Sequence, residues 1–102
     1  MKVVFCTCPP ADAERIARGL VERGAACVNV LPAVRSIYRW QGRVHDDAEA
    51  LLVVKAADDV VGVLRASLKE LHPYELPEWV VLDAEAAHTS EAYARWVEAR
   101  GG

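Results

Sequence analysis

The chain lacks any apolar run longer than a strand. Lys2 leads into Val3-Val4-Phe5-Cys6, and Thr7 with the pair Pro9-Pro10 ends that run. Nothing approaches the roughly 20 apolar residues that cross a bilayer, and the opening run is too short for the core of a signal peptide. An excess of positive charge is missing as well. Twelve Lys and Arg face fifteen Asp and Glu, for a net charge of −3, and arginines stand among acids, as in Arg15, Arg18, Glu22 and Arg23. Phosphate neutralisation drives nucleic-acid binding and leaves a basic stripe in the sequence, so no nucleic-acid or membrane partner is expected. Cysteines number three, an odd count that fits a reducing cytosol better than a disulfide framework. Glycines 19, 24, 42 and 62 are isolated, so no loop is built to cradle phosphates. No Ser-His-Asp or Cys-His-Asn order is evident, and Cys6 with His72 would lack a recognisable oxyanion hole. A cytoplasmic protein without enzymatic activity is expected.

What is present is enough for one domain. At 102 residues there is room for a single core spanning 1–102, and 53% hydrophobic against 26% charged residues describes a globular chain. That apolar share is high for so small a domain, which hints that a partner subunit covers part of its surface.

Val3 to Thr7 reads as a buried strand. Pro9-Pro10 open a helix over Asp12–Arg23, where Ile16 and Leu20 recur at helical spacing and Gly24 follows the end. Ala25–Leu31 and Val34–Trp40 are β-rich on either side of Pro32. Gln41-Gly42 offers a hairpin turn, and Arg43–Lys55 returns around Leu51-Leu52-Val53-Val54. Asp58 or Asp59 is placed to cap a second helix bearing Val61, Leu64, Leu68 and Leu71. Trp79–Leu82 supplies a fourth strand. Thr89 or Ser90 caps a last helix with Tyr93, Trp96 and Val97, where Glu91 and Arg95 pair four apart. The order is the split βαβ, or ferredoxin-like, α+β arrangement βαββαβ with a C-terminal helix.

One dimension does not fit a monomer. The 16 residues of Ala25–Trp40, extended at about 3.3 Å each, would run about 50 Å. A 100-residue domain has a radius of gyration near 13 Å and is roughly 35 Å across. The β2–β3 hairpin should therefore overhang the body, carrying Ile37, Tyr38 and Trp40 into a subunit interface. Pro32 would bend that strand or sit on an edge; the alternative is a break there and a loop that folds back.

Between the second helix and the fourth strand lies His72-Pro73-Tyr74-Glu75-Leu76-Pro77. Each proline holds the residue before it out of helical geometry, so the connector is stiff and extended. It can be plain punctuation between elements, or a loop that holds functional side chains still. With it stand Ala25-Ala26-Cys27-Val28-Asn29-Val30, Ser36-Ile37-Tyr38-Arg39-Trp40-Gln41-Gly42, Glu49 and Lys55 on one apolar segment, and the late Tyr93-x-x-Trp96. In order and spacing these motifs closely resemble the CutA family of divalent-cation tolerance proteins, over nearly the whole chain from Cys6 to Trp96. The resemblance implies the same ferredoxin-like fold and a homotrimer in which hairpins pair between subunits.

Connectivity places Cys6, Thr7 and Cys8 at the end of the sheet where the second helix finishes, beside His72 and Glu75. Thiolate and imidazole suit copper or zinc, although Cys6 can equally be a small core residue, His72 a cap on helix carbonyls, and Cys27 a core filler. The resemblance carries metal ligation onto Cys6 and His72, with Cys8, Tyr74 and Glu75 as further candidates. Some family members have a second histidine before the His-Pro; here that position is Leu71. No obligatory cofactor is expected, and copper or another divalent cation is the expected ligand. The alternative is a trimeric regulator of the PII type that binds a small anion between subunits, for which Arg35, Arg39, Arg43 and the first helix N-terminus speak.

Overall fold

The computed structural model describes residues 1–102. Four strands and three helices follow the order β1 (Lys2–Cys8), α1 (Ala13–Glu22), β2 (Cys27–Trp40), β3 (Arg43–Ala56), α2 (Val61–Leu71), β4 (Val80–Asp83) and α3 (Glu91–Glu98), with single 3₁₀ turns at Pro10–Asp12 and Ala86–His88. The strands form one antiparallel sheet in the order β2-β3-β1-β4. This is the expected α+β arrangement.

Side-chain alternation decides which face is buried. On β1, Val4, Cys6 and Cys8 are fully buried while Phe5 faces out. They meet Ile16 and Leu20 of α1, Leu64 and Leu68 of α2, and Leu52 and Val54 of β3 in one core. Both helices thus lie on one face. The opposite face carries the partly exposed Phe5, Val53 and Val80.

On β3 the alternation begins only at Ala50. From Arg43 to Ala48 no residue is buried, and the paired stretch of β2 beyond Val34 has none either. This distal half of the hairpin projects past the core and draws the molecule out to 44 × 28 × 21 Å. β2 does not break at Pro32. Pro32 and Ala33 instead form a bulge opposite Ala50, between the pairs Leu31↔Leu51 and Val34↔Glu49. Proline is tolerated because β2 is an edge strand with no ladder on its outer side. At the tip, Gln41 and Gly42 both take positive φ (50° and 78°), the twist that a two-residue hairpin turn requires.

Three expectations shift. Neither Asp58 nor Asp59 caps α2: Val60 precedes it, Asp58 pairs with the N-terminal amine and Asp59 with Arg100. β4 starts at Val80, one residue past Trp79. Cys27 opens β2 half-exposed, outside the core. Ser90, of the two candidates, caps α3 by accepting from the Tyr93 N–H at 3.3 Å.

Candidate functional site

β4 pairs with β1 only from Lys2 to Phe5. Beyond Phe5 that edge of β1 has no strand beside it, and the connector from α2 fills the space. His72 is its pin. The His72 N–H still closes α2 on the Leu68 carbonyl at 2.8 Å, but Pro73 forces the residue into extended backbone. The ring, only 7% exposed, reaches β1 with Nε2 2.8 Å from the Thr7 carbonyl, and its Nδ1 accepts the Tyr74 N–H at 3.1 Å. These partners define a neutral ring with its proton on Nε2. Arg15 of α1 donates to the carbonyl of Leu71 at 2.7 Å, so the end of α2 is held by this arginine together with the His72 N–H, while the His72 ring is bonded elsewhere.

Pinned this way, Tyr74 turns toward β3. Its ring lies 4.8 Å from that of His72, and its hydroxyl donates to Glu49 Oε2 at 2.8 Å. Glu49, 7% exposed, is the first buried residue of β3. Burial, with the Glu49 carboxylate as acceptor, raises the Tyr74 phenol far above its ordinary range. Across the site the carboxyl of Glu78 is also raised, by burial first and by Glu49 second.

Connector and distal hairpin enclose a groove of about 930 Å³. Ile37, Tyr38 and Trp40 form one wall; Pro73, Tyr74, Leu76 and Pro77 form the other; Thr7, Glu49, Glu75 and Glu78 lie among them. Tyr38 stacks on His45 at 5.3 Å and donates to Asp47, while Arg35 is paired with Asp46.

The residues expected to hold metal are gathered at one oxygen. Cys6 Sγ lies 3.7 Å from the Thr7 carbonyl that His72 also binds. Both groups act there as donors, with hydrogen and not a free lone pair aimed at the shared oxygen. Burial pushes the Cys6 thiol up to about 12 and the Cys8 thiol up to about 11, so neither is a ready thiolate. No three His, Cys, Asp or Glu side chains converge in a geometry that could hold a metal ion. Glu75 and Tyr74 line the groove, whereas Cys6 and Cys8 lie in the core. Glu49 and Glu78 were not foreseen as site residues. The available signal was one carboxylate inside the apolar run Ala48 to Val54, and another beside Trp79.

The CutA1 divalent ion tolerance protein model matches residues 2–100. The chain is 44% identical to the divalent-cation tolerance protein CutA of Thermus thermophilus over 103 residues, covering 99% of this chain and 98% of that one. It is 37% identical to protein CutA of Bos taurus over 98 residues, 95% of this chain but only 54% of the bovine one. It thus spans about half the length of that relative. Among solved structures, the PII-like protein CutA of a Nostoc species superposes with a TM-score of 0.93 at 40% identity, covering 100% of this chain and 98% of that one. The Thermus thermophilus structure gives 0.90 at 44% identity with 100% of both chains covered. A match that runs from β1 to the end of α3, and takes in the hairpin and the His-Pro connector that build the groove, makes this chain a member of the CutA1 divalent ion tolerance protein family.

Proposed function

We propose that the chain acts as a homotrimeric divalent-cation tolerance protein of the cytoplasm that binds copper or another divalent cation and catalyses no reaction. The observation that carries the trimer is the bare distal hairpin. Ile37 is 65% exposed, Val44 67% and Trp40 48%, on a two-stranded ribbon with no core beneath it. Such a ribbon is marginal in water unless another surface covers it. The sheet also ends in two open edges, β2 and β4, on opposite sides. Joining one copy's β2 edge to the next copy's β4 edge closes both in a ring, and closure is how proteins avoid open-ended edge pairing. Ile37, Tyr38 and Trp40 are the contact residues of this reading. Three unpaired thiols suit a reducing compartment.

Metal enters through family membership and through Cys6 and His72, which meet at Thr7. Ligation there through Nε2 removes the proton of a buried thiol, moves the ring proton of His72 to Nδ1 and breaks both hydrogen bonds of the ring, so copper uptake releases a proton and loosens the connector. Cys8, Tyr74 and Glu75 would add donors only after such a change. The lining opposes the alternative, an anionic ligand of the PII kind: three carboxylates face the groove, and its one guanidinium is already paired with Asp46.

Light scattering tests the assembly: about three times the chain mass of 11.2 kDa is expected, and a single chain mass refutes it. Calorimetric titration with copper tests the site. Cys6→Ala and His72→Ala should each lower affinity, and the double variant should lose less than the two losses summed. Binding equal to the parent's in both variants places the metal elsewhere.

A further inference from the structure

Within one chain, the carboxylate of Glu49 is buried and no cation meets it. The residue is only 7% exposed, and its partner is the neutral hydroxyl of Tyr74. Burying an ionised carboxylate is costly unless a positive charge or several strong donors meet it. Glu75 and Glu78 add negative charge to the same lining, where the one guanidinium, that of Arg35, is held by Asp46.

The distal hairpin has the opposite deficit. Of its arginines only Arg35 is paired, and Arg39 and Arg43 stand exposed without an acidic partner. Alternation along β2 puts Arg39 on the same face as Ile37, and its cross-strand neighbour is Val44. Both neighbours are largely exposed, so this face is a guanidinium set between bare aliphatic side chains.

Strand direction brings the two deficits together. Only Trp79 separates Glu78 from β4, and β4 runs away from the groove, its first residue pairing with Phe5 and its last with Lys2. A neighbouring copy's β2 that joins this edge antiparallel, as every adjacent pair in the sheet does, runs towards the groove. It has 14 residues against the 4 of β4, so its distal half passes the connector. We infer that the hairpin of the next copy completes the groove: its Arg39 enters and pairs with Glu49 and Glu78, and its Ile37 and Val44 lie against Leu76 of the connector. Leu76, 73% exposed in one chain, is the apolar surface that such a hairpin covers. Assembly and neutralisation of Glu49 are then one event, and each site is built by two chains. The inference rests on the trimer proposed above.

Cross-linking of the full chain tests the contact. Two variants are made in a Cys27→Ser background, one with Arg39→Cys and one with Glu78→Cys, and are co-expressed. A short bismaleimide should join one chain of each kind into a covalent dimer, and neither variant should cross-link by itself. No linkage while light scattering still gives the trimer mass overturns the proposal, as does linkage confined within single chains when one chain carries both substitutions. A single-chain mass for the parent instead overturns the trimer itself, so the two failures are distinct. The charge pair has a separate readout. Arg39→Gln should raise the concentration at which the trimer dissociates about tenfold or more, the scale of one charge-assisted hydrogen bond, and Arg39→Lys should recover part of the loss. Glu49→Gln should lower the melting temperature of the parent but raise that of the Arg39→Gln protein, because there it removes a buried charge that no cation meets. Glu78→Gln, at an exposed residue, repeats the cycle without the risk of a folding defect. Losses that simply add, or linkage through Arg43→Cys in place of Arg39→Cys, overturn the pairing.

Discussion

Replacing His72 by alanine should cost the protein about 2–4 kcal/mol. The substitution removes two hydrogen bonds, 2.8 Å to the Thr7 carbonyl and 3.1 Å from the Tyr74 N–H. Each is worth about 1 kcal/mol net, and a carbonyl left dry costs about 1–3 kcal/mol more. Thr7 is the group at risk, because β4 has ended and no other strand group stands on that edge of β1. The Tyr74 N–H lies on an exposed residue and can take water, which keeps the total below two full penalties. Loss of the ring also frees Tyr74, and with it the bond to Glu49. Urea unfolding at one fixed protein concentration measures the change, since the stability of an assembly depends on concentration. In a thermal scan a domain of this size should drop by about 8 °C or more. His72→Gln places an amide N–H near the position of Nε2 and should recover roughly half of the loss. If His72→Ala costs less than about 0.5 kcal/mol, the ring does not pin the connector and the reasoning fails.

Trp40→Ala should weaken the trimer, read as a shift toward the single-chain mass on dilution in light scattering; an unchanged mass and melting temperature would place Trp40 on an ordinary surface. Tyr74→Phe should destabilise by about 1–3 kcal/mol, because it strips the buried Glu49 of its hydroxyl partner, and an unchanged urea midpoint would contradict that bond. Stability should fall as pH rises above the ordinary thiol value of 9.0 toward about 12. The unfolded chain loses its Cys6 and Cys8 protons first in that window, whereas below pH 9.0 both states keep them, so the thiols favour the folded state fully only at the lower pH. The contribution of Cys6 is on the order of 2–4 kcal/mol, and an alkaline slope unchanged in a Cys6→Ala, Cys8→Ala variant would refute it. Ser90→Ala should cost about 1 kcal/mol through loss of the α3 cap; no change by urea unfolding would mean that water caps the helix as well.

Local chemistry made most of the fold legible. Apolar spacing at Ile16 and Leu20 reads as one helix face, and Gln41-Gly42 reads as a turn, because these signals depend on neighbours a few residues apart. Cap choice was less legible: Asp58 and Asp59 have good capping side chains, but the N-terminal amine and Arg100, both distant in sequence, hold them instead. The candidate site divides the same way. The two prolines of the connector announce a stiff loop, and connectivity alone brings Cys6 to the end of α2.

The residues by themselves determined the element order, the overhanging hairpin and the meeting of β1 with the His-Pro connector, since periodicity, strand length and proline sterics are properties of the chain. Only the tertiary structure decided what those groups do when they meet. It gave both nitrogens of His72 hydrogen-bond partners, raised the thiols by burial, and sank Glu49 under Tyr74 without a cation. Protonation, lone-pair direction and desolvation depend on atoms brought together across 65 residues for Thr7 and His72 and 25 for Glu49 and Tyr74, and no local pattern carries them.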